Sequence, residues 1–93
     1  MDIDQLRKQI DLIDDRLLEL LIQRSILSLR IGERKRGENQ SIDDPEREQE
    51  VLSRLANKDA GPLTPEMIRL IYRTIIQSCR ELQYQSPGCR DDK

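Results

Sequence analysis

The feature that most limits how this chain can fold is an unbroken helical periodicity over its first third. Ile3, Ile10, Leu17, Arg24 and Ile31 follow one another at intervals of seven, with Leu6, Ile13, Leu20, Leu27 and Arg34 as a companion row. Eight of these ten positions are aliphatic, and residues three, four and seven apart share one face of an α-helix. Asp2 can cap the helix while Gln5 reaches back to it, a capping-box pattern, and Gly37 is a natural stop. About 35 residues at ~1.5 Å each make a rod of roughly 52 Å. A rod of that length cannot bury its stripe inside a compact monomer. The pattern therefore predicts an antiparallel homodimer whose long helices cross near Leu17 to Leu21. Two cations interrupt the row. Arg34 is near the end, but Arg24 is well inside, where a lone buried charge costs several kcal/mol.

Composition points the same way. Ninety-three residues make one small domain, and 35% hydrophobic against 37% charged residues is lean for a monomer and suits long exposed helices. There is no Phe or Trp, and the aromatics are Tyr72 and Tyr84. The net charge of −2 and a pI near 5.2 argue against a dedicated nucleic-acid or membrane-surface binder. Histidine is absent, which removes the commonest general base and metal ligand together. With Cys79 and Cys89 as the sole cysteines, no structural zinc is expected. A disulfide between them is poorly motivated, because Cys79 falls in an apolar helical repeat and Cys89 in a polar tail. The start MDIDQLRK has no apolar signal core, and no apolar run is long enough to span a bilayer. The expectation is a reduced, cytoplasmic protein.

Two further helices are announced by proline. After the loop GENQSIDD, Asp44 is an N-cap with Pro45 at the first helical position, and Val51, Leu52 and Leu55 form the apolar positions that follow. KDAGPL breaks this helix. Thr64 and Pro65 then repeat the start signal, and Ile68, Tyr72, Ile75, Cys79 and Leu82 carry the apolar row of the third. Residues 1–85 form the helical domain, and 86–93 are expected to be a disordered polar tail. No strand pattern is present. The fold class is all-α, three helices per chain, in an intertwined antiparallel dimer.

Several polar residues sit where they can face inward. Arg24 fits a snorkelling or register-setting position equally as well as a ligand site. Lys35 is eleven residues on, about 20° around and ~16 Å along the axis, so the two cations can grip opposite ends of one small anion. Read alone, Lys35 is a solvated cation favouring the helix C-terminus. Arg7 is too far away within one chain, but a two-fold axis at about residue 18 brings it between the Arg24 and Lys35 of a partner. Asp44 needs no role beyond capping, and Arg47 and Glu48 also read as ordinary first-turn residues. Cys79 and Gln83 are four apart on the third helix, where a Gln beside an apolar stripe is usually a boundary residue.

The segments LRKQIDLIDDRLLELLIQRSILSLRIGERK, DPEREQEVL and IIQSCRELQ together resemble the all-helical (AroQ-class) chorismate mutases. The resemblance spans about residues 3 to 85 and carries the family's L-R-x-x-I, L-L-x-x-R, G-x-x-K, D-x-x-R-E and I-I…Q elements in order. It implies a dimer with two sites, each borrowing Arg7 from the neighbouring long helix. The remaining site residues would be Arg24, Lys35, Asp44, Arg47, Glu48 and Gln83 of one chain. Cys79 stands where many relatives have serine, and a thiol is the poorer hydrogen-bonding group.

The implied reaction, chorismate to prephenate, is a one-step pericyclic rearrangement that needs no nucleophile, metal or cofactor, which a histidine-free chain can serve. On this reading Arg24 and the partner's Arg7 take the two carboxylates, and Lys35 and Gln83 donate to the ether oxygen. Glu48 accepts from the ring hydroxyl, while Asp44 and Arg47 orient the site. Three alternatives stand beside it. One is a lyase of the same fold that removes pyruvate from isochorismate. Another is a mutase module or regulatory partner of a larger shikimate-pathway enzyme. The last is a non-catalytic helical dimer.

Overall fold

The computed structural model describes the backbone of residues 1–90 and the side chains of residues 1–85. The tail expected from residue 86 overlaps the end of α3, whose backbone stays helical to Arg90, and residues 91–93 lie outside the described residues. The chain folds into α1 (Ile3–Gly37), α2 (Pro45–Ala56) and α3 (Pro65–Arg90), with no strand among the described residues.

Each helix starts as its local chemistry dictates. The Asp2 carboxylate accepts from the Gln5 backbone N–H at 2.9 Å, and the Gln5 side chain accepts from the Asp2 N–H at 3.0 Å. Asp44 Oδ1 accepts from the Arg47 N–H at 3.1 Å, and Thr64 Oγ1 from the Met67 N–H at 3.1 Å. The end of α1 differs from the sequence expectation. The last helical residue is Gly37, but the left-handed residue that turns the chain is Asn39, with φ of 59°. The next N–H, of Gln40, returns to the Lys35 carbonyl at 2.7 Å. Asn tolerates this conformation better than most residues.

α3 packs against both other helices, meeting the C-terminal half of α1 from Arg24 to Arg36 on one side and α2 on the other. The buried apolar residues are Val51, Leu52 and Ala56 of α2 with Ile68 and Cys79 of α3. The sequence expectation puts Leu82 at the end of the α3 row. In the fold Leu82 is 37% exposed and its neighbour Gln83 only 8%, so the polar residue takes the inward position. α1 turns small residues toward α3. Ser25 and Ser28 are half-buried and Gly32 is fully buried. A Cβ on Gly32 would lie 3.0 Å from Gln83 Cγ and 3.2 Å from its Cβ, so the glycine permits the close approach of α3.

The aliphatic rows of α1 point elsewhere. Ile3, Leu6, Ile10, Ile13, Leu17, Leu20, Leu27 and Ile31 are all exposed, Ile10 to 55% and Ile31 to 53%. The chain measures 53 × 31 × 14 Å. Its least dimension is little more than the ~10–12 Å of one helix with side chains, so α1 has no second layer over its stripe. Thus α1 has two functional faces, a small-residue face for its own α3 and an aliphatic face left bare. No helix among the described residues is long and apolar enough to cross a membrane.

Candidate active site

Where α1, the loop 38–44, the first turn of α2 and α3 converge, they enclose a cavity of about 330 Å³. Its wall includes Arg24, Lys35, Asp44, Arg47, Glu48, Cys79 and Gln83. All seven single-chain residues singled out from the sequence thus share one cavity. Arg7 does not. It is exposed on the first third of α1, ~25 Å along the helix from Arg24.

The side chains divide by how firmly they are held. Lys35, 17% exposed, donates to the Ile42 carbonyl at 3.3 Å and faces Asp44 Oδ2 at 3.7 Å. Asp44 therefore caps α2 with one oxygen and steadies the lysine with the other. Arg24 is half-buried and donates through Nη1 to Cys79 Sγ at 3.3 Å. A thiol is a weak, uncharged acceptor, so the guanidinium keeps its charge and most of its donors for a ligand. Arg47 pairs with Glu50 at the rim. Glu48 accepts from Arg80 Nη1 at 2.8 Å.

Gln83 is fixed at both ends. Its Nε2 donates to the Ser28 carbonyl at 2.7 Å and lies 3.1 Å from the Ser28 hydroxyl. A carbonyl only accepts, so the amide must turn its NH2 side toward α1. The Gln83 backbone carbonyl accepts from Arg36 Nη1 at 3.0 Å. Arg36 is unexpected here. Its other terminal nitrogen is buried with no hydrogen-bond partner among the described residues, so the arginine gives up part of its hydrogen bonding to hold α3 in place.

Four cations (Arg24, Lys35, Arg47, Arg80) and two carboxylates (Asp44, Glu48) line the wall, an excess of two positive charges. Leu27, Ile31, Ile42, Val51 and Ile76 supply apolar surface between them. Such a cavity suits a small dianion with an apolar body. Among the described residues no group of His, Cys, Asp and Glu is arranged to hold a metal ion. One titration is shifted nearby. The hydrogen bond from the Tyr84 hydroxyl to Asp43 Oδ1, 2.6 Å long, pushes the Tyr84 pKa above its ordinary value, with burial and the Asp43 charge adding to it and Arg80 opposing it.

Two polar wall residues escape a reading of the sequence, Ser28 and Arg80. The available signals are helical spacings: Ser28 is one turn after Arg24, and Arg80 three residues before Gln83.

Residues 6–84 match the chorismate mutase type II family. The chain is 41% identical over 86 residues to the bifunctional chorismate mutase/prephenate dehydratase of Aquifex aeolicus, covering 88% of this chain and 24% of that protein. It is 34% identical over 83 residues to the Pseudomonas aeruginosa protein of the same description, covering 84% of this chain and 23% of that one. It thus spans about a quarter of the length of these relatives. Among solved structures, form II of the Thermus thermophilus chorismate mutase superposes with a TM-score of 0.88 at 31% identity, covering 90% of this chain and 96% of that one. The Helicobacter pylori chorismate mutase in complex with prephenate does so with a TM-score of 0.82 at 33% identity, covering 88% and 89%. With the match running from α1 through the Gln83 turn of α3, the chain belongs to the type II chorismate mutase family.

Proposed function

We propose that residues 1–85 form a chorismate mutase domain that rearranges chorismate to prephenate, working as a homodimer in the cytoplasm. The observation that carries this is the cavity itself, with an excess of two positive charges and with Lys35 and Gln83 both on its wall among apolar side chains. The prephenate held by the similar Helicobacter pylori enzyme is the product of this reaction.

The reaction forms one carbon–carbon bond as an ether carbon–oxygen bond breaks, within a single molecule. Its demands are conformational and electrostatic. Arg24 grips one carboxylate through the paired donors of its guanidinium. The second carboxylate goes to Arg7 of the partner subunit, carried in by an antiparallel second copy. That copy lies on the bare aliphatic face of α1, which one chain leaves exposed from Ile3 to Ile31. Holding both ends folds the substrate so that the bonding carbons meet. As negative charge grows on the ether oxygen, Lys35 donates to it, and so does Gln83 by exchanging its longer contact to the Ser28 hydroxyl for the substrate while its other N–H stays on the Ser28 carbonyl; one such donor is typically worth ~3 kcal/mol. Glu48 accepts from the ring hydroxyl. Asp44 holds Lys35 in line, Arg47 closes the rim, and Cys79 orients Arg24.

The test is direct. Purified protein is mixed with chorismate, loss of its diene absorbance is followed, and the product is identified. Prephenate supports the proposal. Release of pyruvate from isochorismate with no action on chorismate would assign the lyase reaction instead, and no turnover of either would leave a binding module.

A further inference from the structure

Arg80 is part of the cavity wall but has no place in the mechanism above. It emerges from α3 one residue after Cys79, and its Nη1 donates to Glu48 Oε2 at 2.8 Å. Its Nε lies 3.9 Å from Asp43 Oδ1, which also accepts from the Tyr84 hydroxyl. One guanidinium thus spans the loop 38–44 and the first turn of α2 from a base on α3. The side chains of Arg80 and Glu48 are 32% and 26% exposed, so the pair is shielded more than an ordinary surface ion pair.

Two consequences follow for Glu48. Its Oε2 already accepts from the guanidinium, which makes Oε1 the less engaged oxygen for a hydroxyl. Its charge is also offset. An uncompensated carboxylate on the wall of a cavity that takes a dianion would repel the ligand, at short range and away from full solvent screening. From this geometry we infer that Arg80 is a positioning residue for Glu48. It selects the carboxylate oxygen that faces the ring hydroxyl and lets an acidic group belong to an anion-binding site. The inference rests on the reading of this cavity as a chorismate site.

The experiment is a double-substitution cycle read as KM and kcat with chorismate, comparing wild type, Arg80→Ala, Glu48→Gln and the double variant, with Arg80→Lys as the conservative control. If Arg80 acts through Glu48, Arg80→Ala raises KM about tenfold while kcat falls less, and in the Glu48→Gln background the same change moves KM less than about twofold. Arg80→Lys, which keeps the charge, regains most of the loss. Equal KM increases in both backgrounds, or no KM change in Arg80→Ala, would overturn the inference. Should circular dichroism show that Arg80→Ala does not fold, the cycle is run with Arg80→Gln, which is neutral and keeps most of the side chain's bulk, under the same criteria. A wild-type protein that leaves chorismate untouched removes the functional reading and this inference together. Wild-type turnover with an additive cycle removes the Arg80 inference alone.

Discussion

Replacing Gly32 by alanine tests the contact that sets α3 over the site. In an isolated helix this change is favourable by about 1 kcal/mol, because glycine loses more backbone entropy on folding. In this fold the new methyl would meet Gln83 Cγ at 3.0 Å and Gln83 Cβ at 3.2 Å, whereas carbon atoms rest comfortably at about 3.5–4.0 Å. Gln83 cannot retreat freely. Its amide is held by the Ser28 carbonyl and its backbone carbonyl by Arg36, and the crowded atoms are next to the α3 backbone. Overpacking of this kind costs about 1–3 kcal/mol, so the net effect is a loss of about 1 kcal/mol, or about 4–8 °C in Tm for a domain of this size. Gly37→Ala is the internal control, because a Cβ there meets nothing within 4 Å and the propensity gain should survive. Thermal unfolding of both variants at one fixed protein concentration isolates the packing penalty. Gln83 shifts by several tenths of an ångström in Gly32→Ala, and kcat should fall about tenfold or more. Equal stabilisation by both alanines, with kcat unchanged, would refute a tight α1–α3 contact and the fixed placement of Gln83.

Four further outcomes are expected. Arg24→Leu should abolish turnover while leaving the unliganded protein at least as stable, since the arginine's hydrogen-bond partner within the chain is the Cys79 thiol; a large drop in Tm would make Arg24 a structural residue. Arg7→Ala and Arg24→Ala chains, each inactive alone, should regain about a quarter of wild-type activity when unfolded and refolded together, because half the dimers are mixed and each holds one intact site; no recovery would refute a site shared between subunits. Gln83→Glu should be poorly active at neutral pH and gain activity in acid as its carboxyl takes up a proton; kcat/KM equal to wild type at about pH 8, far above an ordinary Glu pKa, would remove residue 83 from the ether oxygen. In a Tyr72→Phe background, ultraviolet titration should show Tyr84 ionising above about 10, as its hydrogen bond to Asp43 requires. A raised folded pKa means that this contribution is whole below the unfolded pKa and lost as pH climbs through the folded one, and Asp43→Asn should lower the Tyr84 midpoint.

Much of the fold was legible in the sequence because it is decided locally. The capping box of Asp2 and Gln5, and the Asp44–Pro45 and Thr64–Pro65 starts, act within one helical turn, and each helix begins where those signals predict. The length of the aliphatic stripe alone showed that one chain cannot cover it, and the bare face from Ile3 to Ile31 agrees. The site residues came from the family resemblance rather than from spacing, since Arg24, Lys35 and Gln83 each read singly as ordinary boundary or surface positions. What only the tertiary structure decided depends on residues distant in the chain. Periodicity puts Leu82 and Gln83 on adjoining strips of α3, and the Gly32 gap and the Ser28 carbonyl, 55 positions from Gln83, select the glutamine to face inward. Likewise Arg80 reads as one more exposed charge until α2 brings Glu48 within 2.8 Å of it. A helical pattern fixes the direction of a side chain to within a strip of surface, but the partner waiting there is set by how the helices pack.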